Sequence, residues 1–516
     1  MLLRSPLPSS PPFISPSPSS KPRAPRLYPF LHHSISRPKE VKRESLAIVS
    51  AKISQLYNYG TVDFENKKNL HWNDLYRRIL TAKREDTSVS SVLETWDSEE
   101  RRLSRWILGR VAKELRKFGY FKEALEIYLW KETQGDRFFI SSSDMAIQLD
   151  LMGKVRGPEN AEQQFFSLPD SFKDKRTYCS LLNVYAHYKL KEKAQSTFDL
   201  MCEKGYVDDA LSYNVLMTLY LDIGEHANVV KLLQDMKDTN IALDIYSYNI
   251  WISNAAAMQD LDEMENVLNV MESNNVNATW SVYTTLASKY IKLGLLEKAG
   301  ACAREAEKRI TGRDRSSFLF IISLYGNIGK REELYQIWNW YKSSFNSPLN
   351  TGYKAMLQAL VKLGDGDGLE SLYEEWGRSG SSLDPRVSQV LMGWYCSNGL
   401  SDKARETLDQ LVQRGGKPNE VLWGTLAEGY MKENRLSEAV SCLEKAVSCG
   451  GQVGRRSSNF KWRPRPSLVQ DLLDICKQRA QTDIADQVVE IFKREGWDEI
   501  EPYKGFVEQF SLVGSD

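Results

Sequence analysis

A spacing of 35 residues runs through this chain without a gap. Segments beginning at Lys175, Ala210, Ile245, Trp280, Arg315, Asn350, Pro385 and Glu420 align residue for residue. Glycine returns at one place in the unit, as Gly224, Gly294, Gly329, Gly364 and Gly399. A tyrosine sits four residues ahead of that place, as Tyr220, Tyr290, Tyr325, Tyr395 and Tyr430. A unit this short cannot bury a core alone, so a fixed period of this size specifies stacked helical hairpins. The expected fold is all-α: a right-handed superhelical solenoid of about ten such helix-turn-helix repeats with helical caps. A solenoid offers a long concave surface, which suits an extended partner.

The unit Ala210–Asp244 shows the physics. A first helix is expected near Leu211–Leu221, with Val215, Leu216, Leu219 and Tyr220 sharing a face. Gly224 ends it, because a residue without Cβ closes a helix in the left-handed region at no steric cost. A second helix is expected near Ala227–Asp238, with Val230, Leu233, Met236 and Lys237 behind it. The glycine register extends upstream to Gly119 and Gly153, giving hairpins from Arg105 and Phe139. Lys189, Gln259 and Asn434 fill it elsewhere; asparagine tolerates the left-handed region, whereas Lys189 and Gln259 suit it less well. Alanine recurs five residues later at Ala124, Ala194, Ala299, Ala404 and Ala439, a small residue where two helices of a hairpin approach. Met201, Met236 and Met271 share a register where a flexible side chain fills an irregular gap.

The array is expected over 105–454. A helical cap over 51–104 holds stretches near Trp72–Thr81 and Ser88–Trp96. A second cap with a tail covers 467–516, with stretches near Leu468–Arg479 and Ile484–Arg494. End units must cover the apolar face that an internal repeat shares. The basic linker 455–466 includes Arg455, Arg456, Phe460, Lys461, Trp462, Arg463 and Arg465, residue types able to touch an RNA strand.

Charge is placed unevenly. Residues 1–39 hold no acidic residue and are rich in Ser and Pro, with Arg4, Lys21, Arg23, Arg26 and Arg37 among them. That is the composition of an organellar transit peptide, expected over 1–50. Prolines from Pro6 to Pro29 would break an amphipathic import helix, which tilts the expectation to the chloroplast over the mitochondrion. The whole chain is neutral, with 68 basic and 68 acidic residues. Removing a basic leader therefore leaves a mildly acidic body, which argues against a general polyanion binder held by bulk charge. No stretch reaches the roughly 20 apolar residues of a membrane span.

The unit length, the openings Ser212-Tyr213-Asn214 and Ser247-Tyr248-Asn249, and the closing Lys417-Pro418-Asn419 resemble the pentatricopeptide repeat family. Tetratricopeptide repeats share the hairpin but keep a period of about 34 residues. The stretches Gln148–Gly157 and Leu243–Trp251 are similar to a land-plant group of plain repeats, the P subfamily, imported into organelles. The resemblance implies that one repeat faces one base of single-stranded RNA, with the fifth and last residues reading it. On that reading Asn214 with Asp244 favours uracil, Thr284 with Asp314 favours guanine, and Asn249 with Thr279 leans to a pyrimidine. Cys179 with Asp209, Lys354 with Asp384 and Gln389 with Asn419 depart from the code. Leu319 with Leu349 offers a base no polar atom, and Gly424 pairs with Gly454. The same Asn, Thr and Asp are also ordinary helix caps.

No catalytic constellation is visible. The C-terminus has neither the His-x-Glu nor the Cys-x-x-Cys element of a zinc deaminase. The seven cysteines form no Cys-x-x-Cys pair, and the five histidines show no metal spacing. No cofactor or metal is implied. Asp365-Gly366-Asp367-Gly368 lacks the length and the closing Glu of a calcium loop, and reads as a solvated turn. The expected function is a non-enzymatic organellar RNA binder acting in transcript stability, processing or translation. The alternative is a scaffold for ribosomal or processing-factor proteins, for example in an organellar ribosome. Charge on the inner helices discriminates: a basic stripe marks RNA, and a neutral or acidic groove marks protein.

Overall fold

Each hairpin is decided at the ends of its helices. Asp209, Asp244, Asp314, Asp384 and Asn419, each the last residue of a unit, accept a backbone N–H from the first turn of the next unit's first helix. At the far end, Gly224, Gly329 and Gly364 stop the helix with φ of 83°, 85° and 67°. Lys189, Gln259 and Asn434 take the same left-handed conformation with φ of 58°, 60° and 60°, so the turn imposes itself even on residues with a Cβ.

The computed structural model describes residues 71–84, 87–99, 103–312, 314–345, 347–379, 383–452, 463–479 and 481–511. All of them fall in one unit, Val49–Asp516. The expected address over 1–50 and Arg455, Arg456, Phe460, Lys461 and Trp462 of the linker lie outside them. Every described element is helical. Ten first helices run over Arg105–Lys117, Ser142–Arg156, Lys175–His187, Ala210–Ile223, Ile245–Ala257, Trp280–Lys292, Arg315–Ile328, Asn350–Leu363, Pro385–Ser397 and Glu420–Lys432. Their second helices are Phe121–Thr133, Pro158–Ser167, Lys191–Glu203, His226–Asp238, Leu261–Ser273, Leu296–Glu307, Arg331–Ser344, Gly366–Arg378, Ser401–Gln413 and Leu436–Gln452. The flanks hold His71–Arg84 with Val89–Ser98, and Pro466–Gln478 with Thr482–Glu495. Tyr503–Ser511 adds a helix that periodicity did not predict, seated through buried Tyr503 near Trp497. No helix among the described residues is long and apolar enough to cross a membrane.

From Ser142–Arg156 onward, each first helix packs on the first helix of the next unit, while successive second helices touch far less. The closer layer lies on the inside of the bend, so the first helices form the concave side. Between the Arg105 and Ser142 hairpins the contact runs through Phe121–Thr133 instead. The small-residue register works as expected: Ala124, Ala194, Ala299, Ala404 and Ala439 are fully buried, as are Met201, Met236 and Met271.

The tyrosine register proves to be a clasp between units. Tyr290 donates to Glu265 of the preceding second helix at 3.4 Å, and Lys298 holds the same carboxylate at 2.5 Å. Tyr395, Glu370 and Lys403 repeat this at 2.7 and 3.2 Å, and Tyr220 reaches Gln195 at the same offset. These contacts line up 25 and 33 residues apart, which is why one unit's shape fixes the next.

Two expectations fail locally. Gly153 does not stop its helix, which continues to Arg156 and ends at Gly157 with φ of 97°. Gly153 is instead a point of close approach: a Cβ there would lie 2.6 Å from Val184 Cγ2. It sits one residue out of register, the place where the spacing of 35 breaks. Val230 is half exposed, and Val229, Leu232, Leu233 and Met236 are the buried face of their helix.

The close-approach glycines give a stability test. A Cβ at Gly326 would lie 2.6 Å from Ala359 Cβ and 2.8 Å from its Cα, a backbone atom that cannot swing away. Gly326→Ala is expected to cost about 1–3 kcal/mol by overpacking the seam between two first helices. Gly329→Ala meets no atom and costs only the left-handed strain of about 1 kcal/mol. Chemical denaturation of both variants checks this; a larger loss at Gly329 would contradict the seam.

Candidate nucleic-acid interface

Formal neutrality conceals a segregation between the layers. The ten first helices carry 16 Lys/Arg against 6 Asp/Glu, a net of +10. The ten second helices carry 14 against 28, a net of −14. The concave layer is thus the basic one, and a field of this sign concentrates polyanions along it.

Position within the first helix decides which side chains face the groove. In Ala210–Ile223, Tyr213, Leu216, Met217 and Tyr220 are buried in the core between units. Asn214, Thr218 and Asp222, at the fifth, ninth and thirteenth places, share another face, on which Asn214 and Thr218 are buried and Asp222 is half-buried. The ninth place is polar in six successive units: Asn183, Thr218, Ser253, Ser288, Ser323 and Gln358. The fifth and thirteenth places supply Lys292, Lys354, Lys362 and Lys432. Burial, then the neighbouring Lys292, pull the Lys289 ammonium down to about 8, so it stays charged at neutral pH. Burial pushes the Asp222 carboxyl up to about 6, with Lys189 pulling against it.

Asn214 and Asp244 come together although 30 residues apart: Asn214 Nδ2 donates to Asp244 Oδ1 at 3.0 Å. Ser247 completes the set, its hydroxyl on Asn214 Oδ1 at 2.8 Å and its backbone N–H on Asp244 Oδ1 at 2.8 Å. The amide is thereby held in one orientation, and Asp244 caps a helix while it flanks the groove. Ser247, at the third place of its unit, was missed in the sequence. The signal was the recurrence of Thr177, Ser212, Ser247 and Ser317 at that place.

The other pairs are not joined in this way. Asn249 donates to Ile245 O at 2.8 Å, and its Oδ1 is buried without a partner. By register, the residue behind it is Val282, fully buried, where the preceding unit has Ser247. Thr279 instead meets the Ser281 hydroxyl at 2.8 Å. Thr284 donates to Ser281 O at 3.0 Å, and Asp314 caps its helix at Ser316 N at 3.0 Å. Cys179 Sγ lies 3.8 Å from the Ser212 hydroxyl, while Asp209 is held by Lys175 at 2.6 Å. Burial opposes ionisation of Asp384, yet Arg386, and Lys354 beyond it, hold its carboxyl below the usual range. Gln389 is half-buried, and Asn419 caps its helix at Leu422 N at 3.1 Å.

Comparison with known proteins matches the same repeats. A PPR repeat family model matches 208–257, a pentatricopeptide repeat domain model 174–222, and a PPR repeat model 352–381, 389–416 and 421–451. A pentatricopeptide repeat-containing protein of Arabidopsis thaliana is 40% identical over 91% of this chain and 88% of its own. A mitochondrial pentatricopeptide repeat-containing protein of the same plant is 31% identical over 82% of this chain and 85% of its own. The Arabidopsis thaliana large ribosomal subunit protein mL101 is 34% identical over 85% of this chain and 89% of its own. Among solved structures, the pentatricopeptide repeat protein PPR10 in complex with an 18-nt psaJ RNA element is 18% identical, with a TM-score of 0.44 over 81% of this chain and 63% of that one.

Two tests follow from the groove. Ser247→Ala strands Asn214 Oδ1 in the core and is expected to cost about 1–3 kcal/mol. Val282→Thr places a hydroxyl beside the unpartnered Asn249 Oδ1, so it should cost well under the roughly 1–3 kcal/mol of an unanswered buried hydroxyl. Denaturation midpoints read both. For Asp222 the folded state binds the proton more tightly than the unfolded chain, so its contribution to stability falls as pH rises from about 4 to about 6. Asp222→Asn should therefore raise the melting temperature at pH about 7 and leave it unchanged at pH about 4.

Proposed function

The chain belongs to the pentatricopeptide repeat family, and on that premise we propose that it is a non-enzymatic organellar protein that binds single-stranded RNA along its first-helix layer. The observation that carries this reading is the net of +10 on the first helices beside −14 on the second. A groove of that sign, lined by short polar side chains at one place per unit, suits an extended strand with one phosphate per base. On this reading Asn214, Asp244, Asn249, Thr279, Thr284 and Asp314 face three successive bases. Three positions match by chance about once in 64 sites, so occupancy of single-stranded RNA, more than selection of a unique transcript, is what these units supply. Occupancy alone protects a transcript end, opens a hairpin or recruits a processing or translation factor.

The proposal extends to the ends of the chain: residues 1–50 as an import address, 51–104 and 467–516 as caps, 105–454 as the array and 455–466 as a basic linker. The tilt to the chloroplast finds no support among the relatives, several of which are named mitochondrial, and we place the protein in mitochondria. A second reading, a scaffold in an organellar ribosome, is favoured by the similarity to mL101 and by the acidic second-helix layer, which suits a basic protein partner.

Fluorescence anisotropy with a labelled single-stranded RNA, titrated with salt, tests the first reading. Replacing Lys292, Lys354 and Lys362 by Gln should lower the slope of log K against log salt by about 2, at roughly 0.7 per phosphate contact. Unchanged binding in the triple variant, with ribosomal proteins co-purifying from mitochondria, would favour the scaffold.

A further inference from the structure

The layer of first helices comes apart at its C-terminal end. At the N-terminal end the flanking helix His71–Arg84 packs directly on Arg105–Lys117. At the other end Glu420–Lys432 packs on Pro385–Ser397 before it, but the helix that follows, Pro466–Gln478, packs on Thr482–Glu495 and Tyr503–Ser511 and hardly meets Glu420–Lys432. An ion pair spans the gap, with Arg465 Nε donating to Glu428 Oε1 at 3.0 Å. Behind that pair lies a cleft of about 680 Å³ between the two helices. Sites that enclose a ligand or a few side chains have volumes of about 300–1,000 Å³.

The walls combine apolar and acidic groups. Leu468, Asp471, Ile475 and Gln478 follow one another at helical spacing and line the cleft from one face of Pro466–Gln478. The opposite face, with Val469, Leu472, Leu473 and Cys476, is buried in the C-terminal flank. Met431 and Leu468 are buried and Ile475 is half-buried, so the cleft has an apolar floor. Asp471 and Asp474 are exposed at its edge, and among the described residues neither has an ion pair. Across from them stands Lys432, while Arg465 is engaged by Glu428. The cleft therefore offers two free carboxylates against one free ammonium.

This balance repels a phosphate, so an RNA strand does not continue into the cleft. An arginine matches it: the methylene stem covers an apolar floor while the guanidinium forks onto carboxylates. We propose that the cleft between Glu420–Lys432 and Pro466–Gln478 receives an arginine-bearing peptide segment of a protein partner. Its guanidinium lies on Asp471 and Asp474, its stem crosses Met431, Leu468 and Ile475, and Lys432 meets a carbonyl of the same segment. The site is separate from the basic layer and its existence does not depend on RNA binding. A partner held there sits at the end of whatever the groove contains.

The test uses full-length protein and labelled pentapeptides Gly-X-Arg-X-Gly, with X as Leu, Phe or Ser, read by fluorescence anisotropy at protein concentrations up to about 1 mM. The Leu and Phe peptides should bind, and replacing their arginine by glutamine should abolish binding. Asp471→Asn/Asp474→Asn should weaken them by about 10- to 100-fold, the scale of hydrogen bonds to charged groups. Ser467→Trp, which fills the cleft from an exposed position, should block them, with labelled oligo(U) binding unchanged. All three sites are exposed, and unchanged thermal melts verify that the fold is retained. Peptide binding indifferent to these variants, or no binding of any peptide, overturns the site and leaves the RNA reading standing. Loss of oligo(U) in Ser467→Trp makes the cleft part of the RNA path and overturns the protein partner. A wild type that binds no peptide, beside an Arg455→Ser/Arg456→Ser variant that does, assigns the cleft to the chain's own linker and likewise overturns the partner.

Discussion

The seam between one first helix and the next is the contact on which this molecule depends. No hairpin has a core of its own; Phe318, Tyr325, Tyr341 and Tyr353 are buried in one cluster to which every unit from the Trp280 hairpin to the C-terminal flank contributes. Close approach along that seam requires small residues at the crossings, and Gly153, Gly326 and Gly429 stand where a Cβ would meet a neighbouring unit below 3.0 Å. The same approach draws the first helices nearer to each other than the second helices, so the array bends toward them. Curvature, groove and the spacing of polar side chains are consequences of one packing contact repeated. The Tyr-Glu-Lys clasps then fix rotation about the seam from the convex side, at half-exposed positions where each bond adds modestly.

Economy at the unit boundary follows from this geometry. The last residue of a unit serves as the N-cap of the next first helix, and in the Ala210 unit it also lies beside the fifth residue of its own unit. Asp244 serves both, with Oδ1 receiving the Ser247 N–H and the Asn214 amide. The Asn214 amide is then locked in one orientation. Asn249 is the same residue at the same place, yet it presents a different chemistry. Its nitrogen is spent on its own helix and its oxygen has no partner, because Val282 stands where Ser247 stands one unit earlier. The third residue of the following unit therefore sets what the fifth residue can offer.

Much of this was legible because repetition amplifies weak signals. One glycine after an apolar run says little, whereas five at an interval of 35, or a multiple of it, fix the hairpins. The left-handed turn at Lys189 and Gln259 was legible from register against residue preference, and the register won. Gly153 misled because a glycine at nearly the right spacing looks the same whether it ends a helix or permits a crossing; only Val184 beside it distinguishes the two. Val230 misled because Val229 beside it is equally apolar, and a one-residue shift in facing lies within what periodicity resolves. The Tyr-Glu-Lys clasps join residues 25 and 33 apart, so their partners are invisible until the units are stacked. The final helix, Tyr503–Ser511, has no second copy in the chain to reveal it.

Net charge taken over the whole chain pointed away from nucleic acid, and the fold reverses that inference. A helical array sorts charge by layer, so the field in the groove depends on which helix bears each residue and hardly on the total. Sixteen cations on ten inner helices lie within a few Debye lengths of any strand there, while the acidic outer layer is screened by the protein and by salt. Attraction of this kind is indifferent to sequence and strengthens as ionic strength falls. Discrimination must come from the few places where neutral polar atoms are held in fixed orientation, and Asn214 with Asp244 is the clearest of these. On the function proposed above, affinity and selectivity are carried by different residues: lysines spread along the layer hold the strand, and short amides and carboxylates at unit boundaries sort it. On that proposal, a chain in which Asn214 with Asp244 is the one joined pair among the three is a binder of RNA more than a strict reader of it.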